Sequence, residues 1–155
     1  MLYLQSIIVF NHDKYIKMKA ITPIYVERDS VVLPRLVRQA MLASSYPIRM
    51  PDIYLMAAQL PVDKFYIGDY AACEYMRKRF LHKKTPRFVS PYKKRLFDAL
   101  YDEVIRMMHM EKYKGMGLKN LTLLALDHKA PCVGLTPTII GRRFSKVKKR
   151  RKMNE

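Results

Sequence analysis

The chain has 155 residues, and 30 Lys and Arg against 13 Asp and Glu give it a formal net charge of +17. A domain with such a charge repels itself, which disfavours a merely basic protein and points to a polyanionic partner: RNA, DNA or an anionic membrane surface. The 50% apolar content excludes a disordered chain, and the length favours one domain.

The N-terminal part contains two β-prone runs, residues 2–10 and 20–26, separated by a polar stretch. The two runs would pair as a hairpin or lie as extended arms on a partner. The opening run lacks a preceding basic residue and a small-residue cleavage site, so it makes a poor signal peptide, and it is too short to span a bilayer. Few acidic residues give residues 1–26 a faint likeness to a mitochondrial transit peptide, although no Arg precedes Arg28.

Apolar residues at helical spacing predict a series of helices through the middle of the chain. The first begins near Val31 or Pro34 and ends at Ser44, with Asp29 or Ser30 as its cap. The others are predicted over residues 51–60, 69–82, 90–114 and 118–127. The 90–114 helix has the strongest signal, because a Ser-Pro pair opens it, a Gly follows it, and its apolar stripe is continuous. That stripe consists of Leu96, Phe97, Leu100, Val104, Met107 and Met108.

The C-terminal part differs from the middle of the chain. Residues 130–141 combine two Pro and two Gly with β-branched residues, which favours an irregular, extended path. The predicted fold is mainly α with minor β: a body of about four helices, possible N-terminal strands and an extended basic C-terminal tail. Residues 1–129 then form one helical domain with an N-terminal extended arm, and 130–155 form the irregular segment and the basic tail.

The first of two basic clusters spans residues 77–95, where no acidic residue interrupts the run. Phe80, Phe88 and Tyr92 stand between its cations, which is typical of a phosphate-binding surface with aromatic stacking. The alternative is a solvated charged face whose aromatic rings lie in the core. The candidate RNA-binding residues here are Arg77, Lys78, Arg79, Lys83, Lys84, Arg87 and Lys93.

The second basic cluster is the tail, with eight cations in the eleven residues 142–152. Such a run repels itself in water and is expected to become ordered on RNA, where it neutralises phosphates. A solubilising tail is the weaker alternative, and a nuclear localisation signal at Lys148–Lys152 is the stronger one. The candidate RNA-binding residues here are Arg142, Arg143, Lys146, Lys148, Lys149, Arg150, Arg151 and Lys152.

Catalytic motifs are missing from the sequence: it has no Gly-rich phosphate loop, no GxSxG and no HExxH. Asp98, Asp102 and Glu103 are predicted to form a solvated helix face rather than an acid–base pair. Cys73, Cys132 and the four His are too dispersed for a zinc site. We therefore expect no enzyme activity, no cofactor, no metal and no small-molecule substrate.

The whole profile is similar to that of ribosomal proteins in general: a small, strongly basic chain with a helical body and an extended basic end. This resemblance is compositional and implies a structural RNA-binding component with rRNA and neighbouring ribosomal proteins as partners. The eleven Tyr and eleven Met favour a lineage-specific subunit of an organellar, mitochondrial ribosome. The alternatives are a nuclear or viral DNA-binding protein and a basic accessory subunit of a mitochondrial membrane complex that meets cardiolipin.

Overall fold

The computed structural model describes residues 23–45, 49–88 and 90–155, and these residues are mainly helical, as predicted. Within them there is no strand, and none of the helices has the length and apolar character needed to cross a membrane. The elements are α1 (Pro23–Glu27), a π-helical turn (Arg28–Val32), α2 (Leu33–Ala43), α3 (Met50–Gln59), α4 (Asp69–Leu81), α5 (Pro91–Met108), a 3-10 turn (Glu111–Tyr113), α6 (Leu118–Ala125) and α7 (Pro137–Met153).

The two predicted N-terminal strands, residues 2–10 and 20–26, have different outcomes when compared with the structure. Residues 2–10 lie outside the described part of the chain. In the second run, 20–26, the described residues start at Pro23 and belong to α1, so the strand prediction is wrong there. Pro fits the first turn of a helix because it has no N–H to leave unpaired and its φ is already helical.

The first helical segment is longer than predicted, because a π-helical turn accommodates Pro34 inside it. Inside a regular helix Pro34 would lack a hydrogen bond, and its ring would clash with the carbonyl of Ser30. The π-helical turn just before it widens the helix, with the Leu33 N–H donating to the Arg28 carbonyl five residues back. Asp29 and Ser30 therefore lie inside the helical segment, and the prediction that they cap it is wrong.

The core has α5 at its centre. Leu96, Phe97, Leu100, Val104 and Met107 are buried, as the apolar stripe predicts. The helix ends at Met108, which is 46% exposed, so it stops before the predicted end at residue 114. α5 packs against α4 and α6, while α2, α3 and α7 form a second group, and both groups contribute to one hydrophobic core.

The segment between α3 and α4 is a buried strap. Val62 and Ala130 exchange backbone hydrogen bonds of 3.0 and 2.9 Å, and the Phe65 N–H donates to the Leu126 carbonyl at 2.9 Å. Phe65 and Ile67 are almost completely buried. This strap fixes the chain before α4 against the chain after α6, so the two helix groups are held together at their loops.

The tail is a helix, which corrects the predicted extended path of its basic residues. The Thr136 side chain accepts a hydrogen bond from the Ile139 N–H at 3.3 Å, and Pro137 occupies the first helical position. These are favourable start signals for a helix. Ile140 is completely buried. The irregular path predicted for residues 130–141 therefore ends at Thr136, and α7 is anchored in the core by its first turns.

Candidate nucleic-acid interface

The first basic cluster occupies the second half of α4, the connection to α5 and the start of α5. The end of α4 is closed by Lys83, whose φ of 48° is left-handed, and by a 3.2 Å hydrogen bond from the Lys84 N–H to the Lys78 carbonyl. The exposed candidate residues of the cluster are Arg77, Lys78, Lys83, Lys84, Arg87 and Lys93.

Arg79 is the exception, because its guanidinium is bound by the protein itself. It lies 3.6 Å from the centroid of the Tyr101 ring and donates to the Tyr75 hydroxyl at 2.6 Å and to Asp98 at 3.2 Å. Its side chain is 24% exposed. The structure thus places this candidate in an internal cluster that joins α4 to α5, apart from the outward-facing cations.

The aromatic residues of the first cluster pack inside the protein. Phe80 lies 5.2 Å from Tyr101 between ring centroids, and Phe88 lies 5.1 Å from Phe97. Tyr92 is also partly buried against the core. These partly buried rings favour the alternative in which the aromatics of the cluster pack against the core and the exposed cations form a charged surface.

Ion pairs also hold two of the acidic residues that were predicted to face solvent. Asp98 accepts from Lys94 at 2.7 Å in addition to Arg79. Glu103 is 19% exposed in its side chain and pairs with Arg106 and with His128, whose Nδ1 lies 2.6 Å from the carboxylate. The hydrogen bond from Arg106, assisted by the one to His128, lowers the pKa of Glu103. Both carboxylates therefore have a structural role.

Three basic residues of α7 form an exposed face on the side opposite its contact with the body. Arg142, Lys146 and Lys149 recur at i, i+4 and i+7, which places them on one side of a helix. Phe144 and Val147 lie on the opposite side and are partly buried. Four further cations of this helix, Lys148, Arg150, Arg151 and Lys152, are also exposed. Among the described residues none of these seven cations forms an ion pair with a carboxylate.

A close helix contact fixes the direction of this face. α7 packs on α3, and a Cβ added to Gly141 would lie only 2.6 Å from the ring of Tyr54. The same ring contacts Phe144, with 6.3 Å between ring centroids. Arg143 donates to Asp29 in the π-helical turn. α7 is thus held from α3 and from the π-helical turn, and its cationic face is a surface of fixed orientation.

The two basic clusters meet at one place. Lys93 of the first cluster and Arg143 of the second both line a cavity of about 620 Å³ between the π-helical turn, the start of α5 and the start of α7. Arg28 and Asp29 line it as well. The sequence offered no signal for these two residues as a site, because the contact between Asp29 and Arg143 joins positions 114 residues apart.

Comparison of the chain with protein-family models, with curated proteins and with solved structures found no match. The candidate interface is therefore defined by the chain's own residues: the exposed cations of the first cluster, the outward face of α7, and the cavity between them.

Proposed function

We propose that this chain is a structural, non-catalytic RNA-binding component of a large ribonucleoprotein, with a mitochondrial ribosome as the particle. Its partners are rRNA and neighbouring ribosomal proteins. The outward face of α7 supports this proposal most directly. That face presents Arg142, Lys146 and Lys149 without an acidic partner among the described residues, and its opposite side is anchored on the body by Phe144.

The physical role of such a face is to neutralise phosphates. Cations three and four residues apart on a helix lie about 5–6 Å from one another, so one face can contact several neighbouring phosphates. Each contact releases counterions, which favours binding at low salt and makes the affinity salt-dependent. Contacts to phosphate position a protein without reading sequence, which suits a component that holds folded RNA together.

The face can be tested by removing its charge. The triple variant Arg142→Gln, Lys146→Gln and Lys149→Gln is compared with the control Lys112→Gln, Lys114→Gln and Lys119→Gln, which changes net charge equally at exposed positions outside both basic clusters. Affinity for a structured RNA is measured across a salt series. The slope of log affinity against log salt is negative. We expect it to become shallower only in the first variant, by about 0.7–0.9 for each phosphate that this variant no longer neutralises.

Equal losses of affinity in the two triple variants would contradict a defined interface, because only total charge would then matter. Unchanged binding in the α7 variant would contradict the role of that face. Circular dichroism of both variants checks that α7 remains helical, so that a weaker affinity is not the result of unfolding.

Membership of a particle is tested by sedimentation of the native protein through a sucrose gradient at moderate salt, with and without RNase. Migration with a ribosomal subunit that is shifted by RNase supports the proposal. Migration near the top of the gradient in both conditions contradicts it. A heavy peak that ignores RNase and is released by detergent instead of high salt would identify a basic subunit of a membrane complex.

A DNA-binding role is the second candidate, because the major groove of B-form DNA is wide enough to admit a basic α-helix such as α7. The major groove of A-form RNA is deep and narrow, so an RNA complex would use the phosphates along the groove edges. Competition between duplex DNA and structured RNA of equal length, at one salt concentration, separates the two. Preference for the duplex DNA would replace the ribonucleoprotein proposal.

A further inference from the structure

The cavity where the two basic clusters meet has a volume of about 620 Å³, within the range of pockets that hold small organic ligands. One wall is fixed by Gly134, whose φ of 81° is left-handed and where an added Cβ would lie 2.5 Å from the Leu96 side chain. Much of the remaining lining is apolar, with Phe97 and Tyr66 among its rings. The cavity is therefore a formed space between packed elements.

The charges around the cavity do not balance. Among the described residues that line it, Asp29 is the single carboxylate, and two guanidinium groups share it: Arg28 through Nε at 3.0 Å and Arg143 through Nη1. Lys93 adds a further cation. Three cations thus face one anion in a partly enclosed space, where the effective dielectric is lower than in water. An anionic group would remove this imbalance.

Arg28 is the most deeply buried of the three cations around the cavity. It is only 8% exposed, and its guanidinium lies 4.7 Å from the centroid of the Tyr25 ring. Its Nε donates to Asp29, but no described residue accepts a hydrogen bond from its Nη1 or Nη2. Arg28 is one of the residues that line the cavity, so its guanidinium, with two Nη groups, borders this space. They are donors suited to a phosphate.

Two helices strengthen the positive potential. α5 and α7 both begin at this cavity, where Ser90 and Thr136 are their caps. The Ser90 side chain accepts from the amides of Tyr92 and Lys93, so the cap already satisfies the first free amides of α5. The helices therefore contribute through the positive ends of their dipoles, and the hydrogen bonds to an anion come from the arginine and lysine side chains.

We propose that this cavity binds a nucleoside phosphate, with the phosphate against Arg28, Lys93 and Arg143 and the base against the apolar and aromatic lining. The nucleotide is either free in solution or the phosphorylated end of an RNA chain, since both present the same groups. This assignment goes beyond the proposed structural role, because it does not depend on the outward face of α7. It also goes beyond the expectation that the chain has no cofactor and no small-molecule substrate.

Calorimetric titration of the full-length chain tests the pocket with AMP, adenosine and inorganic phosphate. A second arm compares a short oligoribonucleotide carrying a 5′-phosphate with the same oligoribonucleotide carrying a 5′-hydroxyl. The diagnostic variant is Lys93→Gln, which changes an exposed side chain and whose folding is checked by thermal unfolding. Its control is Arg95→Gln on the same turn of α5, which lines a different groove. Arg28→Gln is added after its thermal unfolding shows that it is folded.

We expect AMP to bind more tightly than adenosine or phosphate, and Lys93→Gln to weaken AMP at least about tenfold while Arg95→Gln leaves it unchanged. If only the 5′-phosphorylated oligoribonucleotide shows this dependence, the source is an RNA end. No preference for the phosphorylated probes, or equal effects of the two variants, overturns the pocket. RNA binding that still needs Arg142, Lys146 and Lys149 would then show that the proposed function stands without it.

Discussion

Arg79 shows how one residue in a basic run can have a different role from its neighbours. Its guanidinium covers the Tyr101 ring and reaches Tyr75 and Asp98, so its charge stabilises the contact between α4 and α5. Arg77, two residues earlier, pairs with Glu74 on the exposed side of the same helix. The two residues are chemically identical in the sequence, and only the packing of α5 separates their roles.

We predict that Arg79→Lys lowers the free energy of unfolding by about 2 kcal/mol, because an ammonium cannot stack on Tyr101 and donate to two oxygens at once. The control Arg77→Lys should cost less than about 0.5 kcal/mol, since exposed ion pairs contribute little. Urea unfolding of both variants measures the difference. Equal stability of Arg79→Lys and Arg77→Lys would show that the contacts of Arg79 with Tyr75, Asp98 and Tyr101 do not stabilise the fold more than an exposed ion pair does.

Glu103 should make the protein sensitive to acid. Arg106 and then His128 lower its pKa in the folded state from the ordinary value of 4.5. A lowered folded-state pKa stabilises the protein above the unfolded pKa, and this contribution disappears as the pH falls through the folded pKa. We expect Glu103→Gln to cost about 1 kcal/mol at neutral pH and to flatten the decline in stability below about pH 4.5.

Urea unfolding between about pH 7 and about pH 3 measures this dependence. The control is Glu111→Gln, because Glu111 is 90% exposed and its carboxylate is 3.9 Å from Lys114. The control should follow the parent protein at every pH. An acid dependence that is the same in Glu103→Gln and in the parent would contradict the assignment.

At the scale of elements, α7 depends on one small residue. Gly141 lets its backbone approach Tyr54, and a methyl group there would meet ring atoms at 2.6 and 2.7 Å. Helix propensity alone predicts that Gly141→Ala stabilises α7 by about 1 kcal/mol. Overpacking costs about 1–3 kcal/mol, so we expect a net loss of about 1 kcal/mol.

Thermal unfolding decides the sign of this change. Ser145→Ala, at an exposed position of the same helix, is the matched control and should gain up to about 0.5 kcal/mol from propensity. A gain in both variants would mean that Tyr54 moves aside without cost. α7 would then not be held by a close contact with α3.

The last turns of α7, after Val147, should contribute to RNA binding but little to stability, whereas residues 142–147 should contribute to stability. Ending the chain after Val147 removes five cations but keeps Phe144, so stability should change by less than about 1 kcal/mol while the salt slope of RNA binding falls. Ending it after Gly141 also removes Phe144 and Val147 and should cost about 2–4 kcal/mol. Comparable stability of the two truncated chains, measured by thermal unfolding, would argue against α7 as a docked helix.

The sequence predicted the start of α5 and the position of α6 closely, because their apolar residues recur at helical spacing over several turns. It did not predict α7, because the charge of residues 142–152 outweighed the start signal of Thr136 and Pro137. The cap and the few buried residues stabilise α7 as a helix. Repulsion between its exposed cations destabilises the helix by a smaller amount. The π-helical turn was also missed, since accommodating Pro34 depends on backbone geometry.

At the scale of the whole molecule, three acidic residues hold different parts of the chain together. Glu27 pairs with Lys64, Asp29 with Arg143 and Asp98 with Arg79, each between different elements. The excess of cations is consequently left on the outside. Which cations remain unpaired is decided by contacts between distant positions, and for this reason the sequence located both basic clusters but not the cavity between them.

Screening should therefore stabilise the free protein. With a net charge of +17, repulsion opposes the compact state, and added salt shortens its range. We expect the midpoint of thermal unfolding to rise as NaCl goes from about 50 mM to about 300 mM. The rise should be smaller in the Arg142, Lys146 and Lys149 triple Gln variant, which carries less charge. A midpoint that falls with salt would indicate that the ion pairs dominate instead.

The contact between Tyr54 and Gly141 joins positions far apart in the chain, so we expect it to form late in folding. α2 and α3 are neighbours in the chain, as are α4, α5 and α6, so each group can form from local contacts. Closing the long loop between α3 and α7 is slow, so we expect α7 to dock on α3 after the local contacts have formed. The cationic face then exists only on a completed molecule. A chain in which α7 has not yet packed on α3 carries the same charges without a fixed orientation. We expect such a chain to bind polyanions without selectivity.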